Sequence, residues 1–125
     1  MRIEHVALWT ADLERSRAFY EALGAQAGER YSNPRTGFSS YFLSFEGGAR
    51  LELMQGANLG PRAVGDSLGY AHFALSVGGA AAVDELTERL RIEGVPVASE
   101  PRTTGDGYYE SVVLDPDGNR VELVA

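Results

Sequence analysis

The sequence predicts an α+β fold made of two matched halves, each running strand, helix and then three strands. Two observations predict it. First, the chain repeats itself. Ile3-Glu4-His5-Val6-Ala7-Leu8 returns as Tyr70-Ala71-His72-Phe73-Ala74-Leu75, 67 positions later. Gly48-Ala49-Arg50-Leu51-Glu52-Leu53 returns as Gly118-Asn119-Arg120-Val121-Glu122-Leu123, 70 positions later. Second, within each half the apolar spacing passes from alternation to helical periodicity and back to alternation.

The elements follow in order. Residues 2–9 read as a strand with Val6 and Leu8 on one face. A helix is expected from Asp12 to Leu23, with Asp12 capping its free amides and Gly24 at the left-handed stop. Leu13, Tyr20 and Leu23 share one side of it. A short strand near 25–31, a loop through Pro34, and strands 38–45 and 49–55 complete the half, the last two joined at Glu46-Gly47-Gly48. The second half predicts a strand over 70–77 and a helix near 79–93 on Val83, Leu86 and Leu90, stopped by Gly94. Strands near 95–99, 108–114 and 120–124 follow, with the turn Asp115-Pro116-Asp117-Gly118-Asn119 before the last. The drift between the repeats falls where Pro34-Arg35-Thr36-Gly37 meets the longer stretch Pro101–Gly107, which reads as a loop. The first module thus covers about residues 1–56, a glycine-rich linker about 57–69, and the second module about 70–125, all within one domain.

Alternation places the chemistry. Successive side chains on a strand point to opposite faces. His5 therefore shares a face with Ile3, Ala7 and Trp9, and Glu52 shares one with Arg50 and Met54. His72 goes with Tyr70 and Ala74, and Glu122 with Arg120 and Val124. In all four strands the aliphatic residues take the other face, which is the one expected to pack on helices. The His and Glu face is mixed aromatic and polar, as ligand-binding surfaces often are.

A lone histidine on a strand is more often an ordinary half-buried core residue than a ligand. Here the only two histidines hold matched positions, and each comes with a matched glutamate among apolar neighbours. A carboxylate in such surroundings is costly unless it is paired or on a metal. Pairing with Arg50 and Arg120 is the bland alternative. The sharper one is a site of His5, Glu52, His72 and Glu122 holding one divalent ion, with Zn, Ni, Co, Mn or Fe(II) suiting imidazole and carboxylate ligands. Four ligands leave positions open for Lewis-acid work on a substrate oxygen.

Composition bounds the rest. The chain has 125 residues, 44% hydrophobic and 23% charged, within the range of one globular domain. The net charge of −7 leaves no basic face for nucleic acid. No apolar run reaches the roughly 20 residues a membrane helix needs, and no leader pattern opens the chain. Cysteine is absent, which rules out disulfides, thiolate ligands and cysteine nucleophiles. These features point to a cytoplasmic protein acting on a small molecule.

The residues just quoted resemble the vicinal-oxygen-chelate superfamily, which includes glyoxalases, bleomycin-resistance proteins, dioxygenases and methylmalonyl-CoA epimerases. The opening His5-Val6-Ala7-Leu8 with Asp12–Ser16 and Phe19-Tyr20, the stretch Gly69–Leu75, and the closing Asp115–Leu123 carry the resemblance. It implies paired βαβββ modules forming a curled mixed sheet with the helices outside. The ligand order His5, Glu52, His72, Glu122 is similar to that of bacterial-type glyoxalase I, the lactoylglutathione lyases. That similarity implies a metal-dependent lyase or isomerase that moves a proton beside a carbonyl through an enediolate. Glu122 would be the proton shuttle and Glu52 its counterpart. A homodimer with sites shared between chains is implied as well.

The sequence departs from that pattern where glutathione is usually held. Trp9 and Leu68 stand at positions commonly arginine, and Gly56 at one commonly asparagine. The expected substrate is therefore not glutathione-specific, and Trp9, Tyr70, Met54, Arg35 and Arg102 are the candidate pocket residues. An epimerase of methylmalonyl-CoA type is one alternative. A small-molecule-binding protein of resistance type, using Trp9, Tyr70, Tyr108 and Tyr109, is another.

Overall fold

The computed structural model of the chain describes residues 1–63 and 65–125; Val64, inside the expected linker, lies outside the described residues. The chain divides into two compact units, Met1–Arg62 and Ala63–Ala125.

In the first unit the elements are β1 (His5–Trp9), α1 (Leu13–Ala22), β2 (Gln26–Ala27), β3 (Tyr31–Asn33), β4 (Phe38–Ser44) and β5 (Arg50–Gln55). Asp12 caps α1 by accepting from the Arg15 amide at 3.0 Å. Gly24, at φ +95°, lets the chain leave the helix in a conformation that costs other residues a Cβ clash. The sheet runs β1-β5-β4-β2, with β3 also on β4. β1 lies parallel to β5, so that Ala7 stands opposite Glu52. The expected single strand near 25–31 is two pieces, β2 and β3, which pair with opposite ends of β4.

The second unit holds β6 (Phe73–Ser76), α2 (Ala80–Ile92), β7 (Val97–Thr103), β8 (Tyr109–Leu114) and β9 (Arg120–Val124). Its sheet runs β6-β9-β8-β7. β6 lies parallel to β9 with Ala74 opposite Glu122, the same register as Ala7 and Glu52. The turn before β9 is tied by Asp115. Its Oδ1 accepts from the amides of Asp117 at 2.9 Å and Asn119 at 2.8 Å, and its Oδ2 from the Asn119 side chain at 2.8 Å. This internal bonding makes the Asp-Pro-Asp-Gly-Asn stretch a fixed turn that sets the start of β9.

Three expectations need correction. The strand expected over 70–77 begins only at Phe73, because the ladder starts with Phe73 opposite Val121; Tyr70 and His72 precede it. Pro101 and Arg102 are not in a loop. β7 continues through Thr103, and Arg102 pairs with Glu110 across the ladder after register shifts that absorb the extra residues. On α2 the buried positions are Val83, Thr87 and Leu90, while Leu86 is half-buried.

Each unit packs its helix on one face of its sheet. Leu13, Phe19 and Tyr20 of α1 are buried, as are Leu51 and Leu53 of β5. Val83 and Leu90 of α2 are buried, as are Val113, Val121 and Leu123. Each helix also buries one hydroxyl pair at 2.7 Å, Thr10 with Ser16 and Thr87 with Ser111. A pair this deep satisfies two groups that would otherwise lose their water.

Candidate metal and substrate site

The opposite sheet face carries the functional side chains. In the first unit His5 and Glu52 project from adjacent parallel strands, with His5 Nε2 3.8 Å from Glu52 Oε2. In the second unit His72, just ahead of β6, puts Nε2 3.2 Å from Glu122 Oε2. Both glutamates are largely covered, and both histidines are more open. Among the described residues no three His, Cys, Asp or Glu side chains gather into one metal-holding group.

The 3.2 Å spacing of His72 and Glu122 is that of two ligands on one cation, while the 3.8 Å of His5 and Glu52 is somewhat wider. Nitrogen and oxygen ligands about 2.1 Å from one ion stand roughly 3.0–3.4 Å apart in octahedral or tetrahedral geometry. Neutral imidazole and carboxylate are donors for borderline divalent ions, so the residues present fit such a metal.

Around His5 the first unit builds more. The Glu4 carboxylate lies 2.5 Å from His5 Nδ1 and also bonds the Arg50 guanidinium. The bond with His5, and then that with Arg50, hold the Glu4 carboxyl below its usual range. Arg50 therefore serves Glu4, which tells against the alternative in which it pairs with Glu52. Its guanidinium stacks over the Phe42 ring at 4.3 Å, and Phe42 meets His5 edge-on at 5.3 Å. Phe42 stands directly opposite Glu52 on β4.

Further along the same face lies an aromatic wall. Trp9 is half exposed and contacts Phe38 edge-on at 6.3 Å; Tyr31 meets Phe38 at 6.1 Å. Met54 is opposite Trp9 in the ladder and half-buried. Gly56 lies against the Trp9 ring, where a Cβ would come within 3.4 Å, ordinary van der Waals contact.

The remaining candidates divide. Arg35 sits in the turn after β3, where its backbone amide donates to Asn33 Oδ1 at 3.0 Å. Tyr70 and Tyr108 are exposed. Tyr109 is on the helix side instead: its hydroxyl donates to Asp84 of α2 at 2.7 Å, which takes it out of any ligand wall on the other face. Arg102 shares the face of Glu122, held by an ion pair to Glu110 at 3.3 Å.

Sequence reasoning missed Glu4 and Glu110. Glu110 is a buried carboxylate on the β8 face that also carries Val112, opposite Glu122. A carboxylate inside the expected strand 108–114 was the available signal. Glu4 had none, because the adjacent residue on a strand points to the other face; its side chain bends back to reach His5.

Comparison with known proteins agrees with this architecture. The profile of the Glyoxalase/Bleomycin resistance protein/Dioxygenase superfamily matches residues 2–123. The chain is similar to the lactoylglutathione lyase of Salmonella typhimurium, 35% identical over 129 aligned residues, covering 99% of this chain and 92% of that protein. A shorter match, 43% identical over 54 residues, is to the mitochondrial methylmalonyl-CoA epimerase of Bos taurus, covering 42% of this chain and 30% of that one. The solved structure of the trypanothione-dependent glyoxalase I of Leishmania major superposes with a TM-score of 0.79 at 28% identity, covering 99% of this chain and 86% of that one. With paired strand–helix–strand units, matched His and Glu positions and this profile match, the chain belongs to the Glyoxalase/Bleomycin resistance protein/Dioxygenase superfamily.

Proposed function

We propose that the protein is a divalent-metal-dependent lyase or isomerase of glyoxalase I type, acting on an α-hydroxycarbonyl or thiol adduct and not specific for glutathione. The observation that carries this reading is the pair of His–Glu couples at 3.8 and 3.2 Å, with both glutamates at the same register in the two units. His5, Glu52, His72 and Glu122 would hold the ion. When bound, it supplies Lewis acidity toward adjacent substrate oxygens.

The chain's own residues do the proton work. Glu122 takes the proton from the carbon beside the carbonyl and returns it to the neighbouring carbon. The C–H pair becomes a C=C bond as the carbonyl π pair moves onto its oxygen. The C=C pair then takes the proton at the former carbonyl carbon. The oxygen on that carbon stays as a hydroxyl by receiving the proton of the substrate's own hydroxyl, and that second oxygen becomes the new carbonyl. Glu52 is its counterpart from the first unit. Both carboxylates are mostly shielded from water. Trp9, Phe38 and Met54 offer an apolar wall to the rest of the substrate, which supports a ligand less charged than an acidic tripeptide.

The proposal includes a homodimer in which His5 and Glu52 of one chain meet His72 and Glu122 of a second copy. It is supported by the exposed apolar residues beside the histidines, Ile3, Leu68 and Tyr70, which a second copy would cover. An epimerase acting on an α-carbon beside a thioester is the second reading, favoured by the local match to methylmalonyl-CoA epimerase. Metal analysis of protein purified without an affinity tag tests the shared core of both. One divalent ion per pair of His–Glu couples is expected, with solvent deuterium entering α-hydroxycarbonyl substrates. Protein that neither contains nor takes up a divalent ion refutes the reading.

A further inference from the structure

The two histidines are matched in the repeat but not in their surroundings. Glu4 precedes His5, whereas Ala71 precedes His72. The backbone at Glu4 is anchored, since its carbonyl accepts from the Arg50 amide at 3.0 Å. From there one carboxylate oxygen meets His5 Nδ1 at 2.5 Å and the other meets Arg50. Arg50 is in turn stacked on Phe42, whose ring edge-packs against His5. The imidazole is thus held at Nδ1 by a carboxylate and along its flank by an aromatic ring. Nε2 is left aimed at Glu52, 3.8 Å away.

We infer that Glu4 is a positioning residue that fixes His5 as the Nδ1–H tautomer, keeping the Nε2 lone pair bare toward Glu52 for a divalent ion. The chemistry is simple. An ionised carboxylate only accepts, so the nitrogen that faces it must carry the proton. A free imidazole in water prefers the proton on Nε2, which would block that nitrogen as a ligand. The other ring nitrogen of a metal-binding histidine commonly donates to a carboxylate, which also raises ligand basicity. His72 has no such residue before it, so the first unit supplies the more organised half of the site. This inference rests on the metal reading proposed above.

Glu4, His5 and Arg50 are all substantially exposed, and exposed ion pairs add little to stability. A merely structural role therefore predicts no more than a small change in unfolding temperature, and nothing at the imidazole. The positioning role predicts the reverse.

The test uses the full chain, free of metal, and reads the histidine tautomers by long-range 1H–15N correlation. Wild type should show His5 as Nδ1–H. Glu4→Ala should move it toward Nε2–H without altering the thermal midpoint. Zn(II) affinity, measured by competition with a chromophoric chelator, should fall about 10–100-fold in Glu4→Ala. Glu4→Gln keeps an acceptor oxygen and should restore the tautomer and part of the affinity. A wild type that binds Zn(II), with tautomer and affinity both unchanged in Glu4→Ala, overturns the inference and leaves the metal reading intact. A wild type with His5 as Nδ1–H that takes up no Zn(II) overturns the metal reading, while the placement of the ring by Glu4 stands.

Discussion

His72 Nε2 lies 3.2 Å from Glu122 Oε2, closer than the 3.8 Å between the matching atoms of His5 and Glu52. Glu52 and Glu122 stand in the same register, opposite Ala7 and Ala74, but His5 lies within β1 whereas His72 precedes β6. His5 is drawn toward Glu4, while His72 stands ahead of its ladder and turns to its glutamate.

Neither histidine is buried, so truncating it opens no core cavity. His5→Ala and His72→Ala should each abolish stoichiometric uptake of Zn, Ni or Co while leaving the circular dichroism spectrum and melting temperature unchanged. Metal analysis after dialysis checks this. A core histidine would do the opposite, lowering stability with no metal phenotype.

Light scattering at micromolar concentration should give the mass of two chains. A monomer would require all four ligands to converge within one chain. Replacing exposed Leu68 and Tyr70 by Ser should weaken the dimer, measured by dilution, if those side chains are covered by the second copy.

Glu122→Gln preserves size and removes the base. In a metal-reconstituted assay it should lower turnover by about 10²–10⁴-fold. The hemithioacetal of methylglyoxal and glutathione should be a poor substrate for the wild type, because Trp9, Gly56 and Leu68 replace the usual polar contacts. Efficient turnover of that adduct would overturn the substrate argument and leave the metal argument standing. Unchanged turnover in Glu122→Gln would remove the residue from the mechanism.

Thr87 donates to the Val83 carbonyl at 2.6 Å and bonds Ser111 at 2.7 Å, with both side chains buried. Thr87→Val keeps the shape and strands the Ser111 hydroxyl, which should cost about 1–3 kcal/mol in urea unfolding. Adding Ser111→Ala should recover part of that loss, since the orphaned group is then gone.

The hydrogen bond to Asp84, then burial, raise the Tyr109 phenol above its usual 10.0. Burial, then the bond to Glu14, raise Tyr41. A raised phenol favours the neutral form in the folded state. The stability it contributes is present below pH about 10 and is lost as pH rises through the folded value. Phenolate absorbance should therefore appear late for these two tyrosines. Tyr109→Phe should reduce the loss of stability between neutral and strongly alkaline pH.

The repeat, the alternating strands and the glycine-stopped helices were legible because each is a local rule. Alternation puts Leu51 and Leu53 against α1 and turns Glu52 to the other face, whatever the rest of the chain does. Asp12 caps α1, and Gly24 and Gly94 end their helices, through contacts spanning only a few residues. The same rules misplaced Arg102 and Tyr109. A proline and nearby glycines read as a loop, yet pairing with β8 carries β7 through Thr103. Tyr109 reads as one more ligand-wall aromatic, but its side of β8 faces α2.

By itself, then, the sequence determined two strand–helix–strand units and the shared face of each His and Glu, since period and punctuation are written residue by residue. Only the tertiary structure decided which groups those side chains meet. Arg50 goes to Glu4 and not to Glu52, and Arg102 goes to Glu110. His5 has a carboxylate behind its ring, and His72 is preceded by Ala71. Partners 46 positions apart, as Glu4 and Arg50 are, become neighbours only when strands pair, and strand order and register are properties of the whole sheet.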